Sequence, residues 1–317
     1  MLIRLALDWT PNTNHTGFYV ALAQGLYEQA GLTVDIITPD QDNYQTTPAK
    51  RVSQGQADLA IDPSESVLSY QINGVPLVAV AALLARDAST IATLRPSGIN
   101  RPQQLDGKVY GSYSARYEDE IIRQMIRNDG GQGAFTSQKP ARLSLWQALL
   151  DGQVDATWIF HPWEGVQATV NGVALNEFRL ADYAIPYSYS PVLTTTRDWA
   201  AQHAEELRRF LDATNTGFQF AVEQPDQAAQ ILQQTAKHPT LGDLNFLQQS
   251  QRVASDYYLN GAGQWGMMDS NVWQQFVNWL IERQLLTDSA GAPINQMDAD
   301  TLFTNEYLPN VPALVQP

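Results

Sequence analysis

Cysteine is absent from the 317 residues, which excludes disulfides, thiol nucleophiles, iron–sulfur ligation and cysteine-based zinc sites. Basic residues are scarce: 19 Lys and Arg stand against 33 Asp and Glu, a formal net charge of −14, and no Lys/Arg run occurs. That balance argues against nucleic acid and anionic membrane surfaces as partners, since both are held by basic patches. No apolar run approaches the roughly 18 residues of a membrane-spanning helix. The start of the chain does not read as a signal peptide, because Arg4 interrupts the apolar run and no small-residue cleavage site follows. The expected location is periplasmic if an export signal has been removed ahead of this sequence, and cytoplasmic otherwise. There is no G-x-S-x-G elbow, P-loop or dinucleotide fingerprint, and His15, His161, His203 and His238 lack metal-ligand spacing. Neither a metal nor a cofactor is expected, and no residue is assigned a catalytic role.

What remains is an ordinary globular composition, 44% hydrophobic and 16% charged, long enough for about two domains at ~150 residues each. The first third alternates strands and helices. Leu2–Leu7, Thr33–Thr38, Asp58–Ile61 and Val75–Ala82 read as strands; Thr16–Gln29, Asn43–Ser53 and Pro63–Ile72 read as helices. Such alternation predicts right-handed βαβ units and a parallel sheet. A second set begins near Ala88–Thr93, with strands at Lys108–Gly111 and Asp155–Phe160 and helices at Arg116–Asn128, Leu143–Leu150 and Pro162–Val170. An internal echo links the two sets: Ser53–Ala60 (SQGQADLA) resembles Leu150–Thr157 (LDGQVDAT), each with Gly, then Asp three residues later, then a strand. Helices are expected over Ala200–Val222, Asp226–Lys237, Leu241–Leu259, Asn271–Gln284 and Asp298–Phe303.

The predicted fold class is therefore α/β with two lobes. Each lobe is a mostly parallel sheet flanked by helices, with a ligand cleft between the lobes. Residues 1–86 and 190–317 form the first lobe and 87–189 the second. Chain crossings fall near Leu84–Ser89 and at Ile185–Pro191 (IPYSYSP).

In open α/β sheets ligands bind beyond the carboxyl ends of the strands. Four segments hold that position. Leu7–Val20 (LDWTPNTNHTGFYV) places Trp9, Asn12 and His15 on a loop between a strand and a helix, with Asn14 as a candidate N-cap. Asp62, Ser64 and Glu65 lie where the next strand passes into a helix. Ser112 and Tyr113 belong to a Gly-Ser-Tyr-Ser loop that could cradle an anion. Trp158, His161, Trp163 and Glu164 crowd another strand-to-helix junction, and Tyr187 and Tyr189 stand on the second crossing. Aromatic faces with amides and carboxylates suit a small, flat, polar ligand. Glu164 or Glu65 suits an aminopyrimidine, because a carboxylate accepts two parallel hydrogen bonds from a protonated ring nitrogen and an exocyclic amine. A His15–Glu164 pair could do acid–base work if the two met in space.

The opening DWTPNTNHTGFYVALAQGLYEQAGL, with GQADLAI, WIFHPWEG and IPYSYSPVL, resembles the substrate-binding proteins of ABC importers for thiamine precursors. That family also contains riboflavin binders and fungal-type thiamine pyrimidine synthases. The resemblance implies a periplasmic-binding-protein fold that captures a pyrimidine, such as formylaminopyrimidine or its hydroxymethyl relative, and hands it to a membrane permease. It further implies a monomer, with the ring against Trp9 and a crossover tyrosine and its edge read by Asn12 and Glu164. The alternatives it leaves are a riboflavin binder and a cytoplasmic synthase. The synthases resembled carry a cysteine-rich crossover, a lysine that holds pyridoxal and a histidine shortly after. Here the crossover is Tyr-Ser-Tyr-Ser, and the other two positions fall near Asp62 and Ser66.

Overall fold

The computed structural model describes residues 1–139 and 144–309. Its elements begin with β1 (Leu2–Ala6), α1 (Thr16–Ala23), α2 (Leu26–Gln29), β2 (Thr33–Ile37), α3 (Pro48–Ser53), β3 (Leu59–Asp62), α4 (Ser64–Ile72) and β4 (Leu77–Ala82). They continue with β5 (Ser89–Leu94), β6 (Val109–Gly111), α5 (Glu118–Asn128), β7 (Thr136–Gln138), α6 (Leu145–Leu150), β8 (Ala156–Phe160), α7 (Val166–Val170) and β9 (Leu175–Arg179). The remainder is β10 (Val192–Thr196), α8 (Arg197–Gln202), α9 (Ala204–Glu223), α10 (Pro225–Ala236), α11 (Leu244–Tyr258) and α12 (Ser270–Glu282). The chain divides into two compact units, one from Met1–Asp87 and the chain from Ser188 onward, the other from Ala88–Tyr187.

Each unit holds one open five-stranded sheet, ordered β2-β1-β3-β10-β4 in the first and β7-β6-β8-β5-β9 in the second. Four strands of each sheet run one way. The fourth in order, β10 or β5, runs against its neighbours, and it is the strand laid down as the chain arrives from the other unit. The expectation of mostly parallel, helix-flanked sheets thus holds by strand direction.

The sequence echo has a physical cause. Gly55 and Gly152 each take a left-handed backbone, at φ +69° and +68°, just past α3 and α6. Glycine suits such C-terminal positions because it pays no Cβ penalty there. Asp58 then accepts the Arg4 N–H at 2.8 Å and donates its own N–H to Arg4 O at 2.9 Å. Asp155 does the same with Val109, at 2.8 and 2.7 Å. In both units an aspartate clamps the start of the middle strand to its parallel neighbour.

Within the first unit, α1 crosses α9 at the limit of backbone approach. A Cβ on Gly217 would lie 2.1 Å from Gly17 O, and one on Gly17 would lie 2.2 Å from the Phe218 ring. Phe218 stacks on Trp265 at 4.7 Å between centroids and meets Phe18 and Tyr258 edge-on. The edge of β4 is closed by Phe303, which bridges Ala79. Pairing removes the exposed row of backbone groups that an edge strand would present. No helix among the described residues is long and apolar enough to cross a membrane.

Several elements differ from the sequence expectation. The helix expected at Asn43–Ser53 begins only at Pro48, because Asn43 and Tyr44 both adopt left-handed backbone, φ +54° and +62°. The Thr16–Gln29 helix is broken by Gly25 at φ +68°. Asn14 does not cap α1; instead Asn12 Oδ1 accepts the Asn14 N–H in a short 3-10 turn ahead of it. The Pro162–Val170 helix starts as a π-helical turn, His161–Gly165. Ala200–Val222 is two helices, and Asp298–Phe303 yields only a 3-10 turn at Ala299–Thr301. Leu143, the first residue of the expected Leu143–Leu150 helix, lies outside the described residues.

The Gly17–Gly217 contact sets a first expectation. Gly217→Ala should destabilise the protein by about 1–3 kcal/mol or more, since an overpacked site must open. Gly55→Ala meets no neighbour and pays only its positive-φ strain. Thermal unfolding of both checks this; a Gly217→Ala melting temperature no lower than that of Gly55→Ala would refute it.

Candidate ligand-binding site

In the first unit the loop after β1 is rigid because its polar groups are consumed internally. His15 is fully buried, its Nδ1 accepts the Asn12 N–H at 3.3 Å, and its Nε2 meets Asp8 Oδ1 at 2.8 Å. A ring nitrogen that accepts has no hydrogen, so Nε2 is the donor to Asp8. Asn12 donates its amide to Thr10 O at 3.1 Å while its oxygen holds Asn14 N–H at 2.8 Å. Thr13 Oγ1 meets Ser250 Oγ at 2.8 Å, Thr16 donates to Gln251 Oε1 at 2.5 Å, and the Tyr258 hydroxyl donates to Thr13 O. All three partners belong to α11, so α11 pins the loop. Trp9 alone of the expected residues in this loop remains half-buried, against Tyr44 edge-on at 5.8 Å.

Asp62, Ser64 and Glu65 are buried where β3 meets α4. Ser66 donates to Asp62 Oδ1 at 3.1 Å, so the two form a hydrogen-bonded pair. Tyr189 packs into the same unit, 6.3 Å from Trp273, with its hydroxyl accepting the Asp269 N–H at 2.9 Å.

In the second unit the Gly-Ser-Tyr-Ser loop does cradle an anion, and it is the protein's own. Glu118 accepts the Tyr110 hydroxyl at 2.9 Å, the Ser112 hydroxyl at 3.0 Å, Tyr113 N–H at 3.1 Å and Ala115 N–H at 3.0 Å. Burial raises the Glu118 pKa and these donors oppose the rise. The Ser112 hydroxyl is thereby engaged. The Tyr113 phenol is pushed up by burial first, then by the charges of Glu164 and Glu118.

Glu164 stands at the end of β8 in the π-helical turn, where its Oε2 accepts the Phe160 N–H at 3.0 Å. Burial raises its pKa to about 7. Trp163 beside it is half-buried, and Trp158 meets Tyr187 edge-on at 5.2 Å. His161 turns to Glu177, Nδ1 to Oε2 at 2.8 Å, and Thr90 donates to the same oxygen at 3.0 Å. The Glu177 hydrogen bond raises the His161 pKa. Burial works against ionised Glu177, but His161, Thr90 and Arg179 together outweigh it and the Glu177 pKa is lowered. Gly165 leaves room for this ring: a Cβ there would lie 2.8 Å from His161 Nδ1.

The expected residues thus separate into two groups, one per unit. Trp9, Asn12, His15, Asp62, Ser64, Glu65 and Tyr189 belong to the first, and Ser112, Tyr113, Trp158, His161, Trp163, Glu164 and Tyr187 to the second. Sequence reasoning missed Asp8, Tyr44, Glu118 and Glu177. Only Glu118 carried a signal, an acid at the start of a helix after a Ser-rich loop. Among the described residues no group of three or more His, Asp or Glu is placed to hold a metal ion.

The fold of two open five-stranded α/β sheets is found both in binding components of import systems and in an enzyme. It is shared with the ligand-binding component of an ABC-type import system from Staphylococcus aureus (TM-score 0.70, 15% identity, 98% of each chain covered). The chain belongs to the NMT1/THI5-like family, whose model matches residues 12–228. It is 25% identical over 303 residues to the formylaminopyrimidine-binding protein of Halalkalibacterium halodurans, covering 92% of this chain and 90% of that one. It is also 23% identical to the riboflavin-binding protein RibY of Chloroflexus aurantiacus, over 97% of this chain and 86% of that one.

The Glu164 shift sets the second expectation. A carboxyl raised from its ordinary 4.5 to about 7 binds its proton more tightly in the folded than in the unfolded chain. Its ionised form therefore weakens the fold above pH 7, and this penalty disappears as pH falls through about 7 towards 4.5. Glu164→Gln removes the penalty while keeping an acceptor for Phe160. The variant should be more stable than wild type at pH 8, with the gap closing by pH 4.5. Paired urea unfolding curves at the two pH values test this; a gap that does not change with pH would contradict it.

Proposed function

We propose that this protein is a solute-binding protein for a thiamine-precursor pyrimidine of the formylaminopyrimidine or hydroxymethylpyrimidine type, serving ABC-type import. In this reading it works as a periplasmic monomer that delivers its ligand to a permease. The observation that carries the reading is Glu164. A carboxyl poised at about 7 beside Tyr113 and Trp163 is suited to the edge of an aminopyrimidine, where it shares a proton with a ring nitrogen and accepts from the amine. The similarity to a formylaminopyrimidine-binding protein over most of both chains supports the same ligand class.

The Trp158–Tyr187 pair supplies aromatic surface in the second unit, and Trp9 with Tyr44 supplies it in the first. Asn12 and His15 enter as residues that set the shape of the Trp9 loop, because their polar atoms are engaged within it. Ser112 acts through Glu118, and Tyr189 through its packing on Trp273. Asp62, Ser64, Glu65 and His161 are assigned to the polar lining.

Calorimetric titration and thermal shift with formylaminopyrimidine, hydroxymethylpyrimidine and riboflavin test the proposal. A pyrimidine at a hundred times its dissociation constant should add about 2.7 kcal/mol to stability. Glu164→Gln should weaken that binding by roughly 10–100-fold, the range for a hydrogen bond to a charged group. Trp9→Ala should weaken it with less loss of stability than the ~3–5 kcal/mol of a core Trp deletion. Binding of riboflavin alone would replace the pyrimidine reading with a flavin one, and binding of none of the three would remove it.

A further inference from the structure

The turn between β2 and α3 has a backbone that its sequence does not favour. Asn43 and Tyr44 are consecutive left-handed residues, φ +54° and +62°. Asparagine tolerates that region, whereas a bulky aromatic is a costly occupant. The turn is nonetheless held firmly. The Tyr44 N–H donates to Pro39 O at 2.8 Å. Asp42 accepts Gln45 N–H at 3.2 Å and Thr46 N–H at 3.1 Å, and Arg51 of α3 pairs with it at 2.6 Å. Asn43 and Gln45 on either side are exposed, so the turn lies at the surface and buries little of its own. It delivers the half-buried Tyr44 ring edge-on to Trp9 at 5.8 Å. Strain retained in an otherwise exposed turn, at the point where it supports a half-buried indole, points to function.

We infer that Tyr44 is a positioning residue, which fixes the plane of the Trp9 indole for stacking on the ligand's ring. This rests on the proposed function in assigning Trp9 to the ligand. The pairing itself is a property of the free protein. An edge-on aromatic neighbour restricts rotation of the indole, so its removal loosens the platform without touching the carboxylate that reads the ring's edge.

Three variants test it, with hydroxymethylpyrimidine and formylaminopyrimidine as the probes. Tyr44→Phe keeps the ring and should bind within about twofold of wild type. Tyr44→Ala and Tyr44→Gly both delete the ring, and both should bind roughly three- to tenfold more weakly. Glycine accepts the left-handed backbone and alanine does not, so loss in the alanine variant alone would assign the effect to the turn and overturn the inference. A ligand-free readout stands beside these. The fluorescence difference between wild type and Trp9→Phe isolates Trp9, and acrylamide should quench that component more readily once the Tyr44 ring is removed. Pyrimidine binding by wild type with unchanged affinity in Tyr44→Ala and Tyr44→Gly defeats the Tyr44 role alone. Absence of pyrimidine binding by wild type defeats the proposed ligand, and the Trp9 quenching then decides whether Tyr44 holds the indole.

Discussion

The close passage of α1 over α9 is the constraint on which the first unit depends. Gly17 and Gly217 meet backbone to backbone, which is open only to residues without a Cβ. Phe218 fills the space beside them and gathers Phe18, Tyr258 and Trp265 around itself. Gly17 follows Thr16 at the start of α1, so the same contact fixes where the Trp9 loop ends. The buried bonds from Thr13 and Thr16 to α11 then set its height above the sheet. A loop held from below by packing and from the side by polar bonds can present one aromatic ring without reordering cost on binding.

The second unit holds two acids, buried Glu118 and half-buried Glu164, that differ in how they are satisfied. Glu118 receives two hydroxyls and two backbone N–H groups, and its task is to shape the loop after β6. Glu164 accepts the Phe160 N–H, and loss of solvent around its carboxyl raises its proton affinity. A group whose environment leaves hydrogen-bonding capacity unspent is the better candidate for recognising an incoming donor.

Much of the fold was legible because it rests on local rules. The strands showed as β-branched runs, the helices as apolar stripes, and the echo between Ser53–Ala60 and Leu150–Thr157 proved to be one clamp used twice, with Asp58 and Asp155 in the same role. The errors cluster where tertiary forces overrule propensity. Asn43–Thr47 reads as helix until Asp42 and Arg51 fold it into a turn. Of the site, the residue types and their positions at strand ends were visible. Which polar atoms were already engaged was not, because the partners of Asn12, His15 and Ser112 are set by folded geometry rather than by spacing. Glu177 is sixteen residues from His161 along the chain, and nothing in the sequence couples them before β5 and β9 pair.

The resident carboxylate of Glu118 has a bearing on selectivity. A loop after a strand and before a helix is a usual berth for a phosphate or sulfonate, since its amides point outward and the helix dipole favours negative charge. Here that berth is filled from within, and its donors are already spent. The Tyr113 and Ala115 amides are directed at Glu118, so an oxyanion arriving from solvent would compete with a resident carboxylate for them. The internal carboxylate thus disfavours an oxyanion at this loop, in keeping with the proposed heterocyclic ligand.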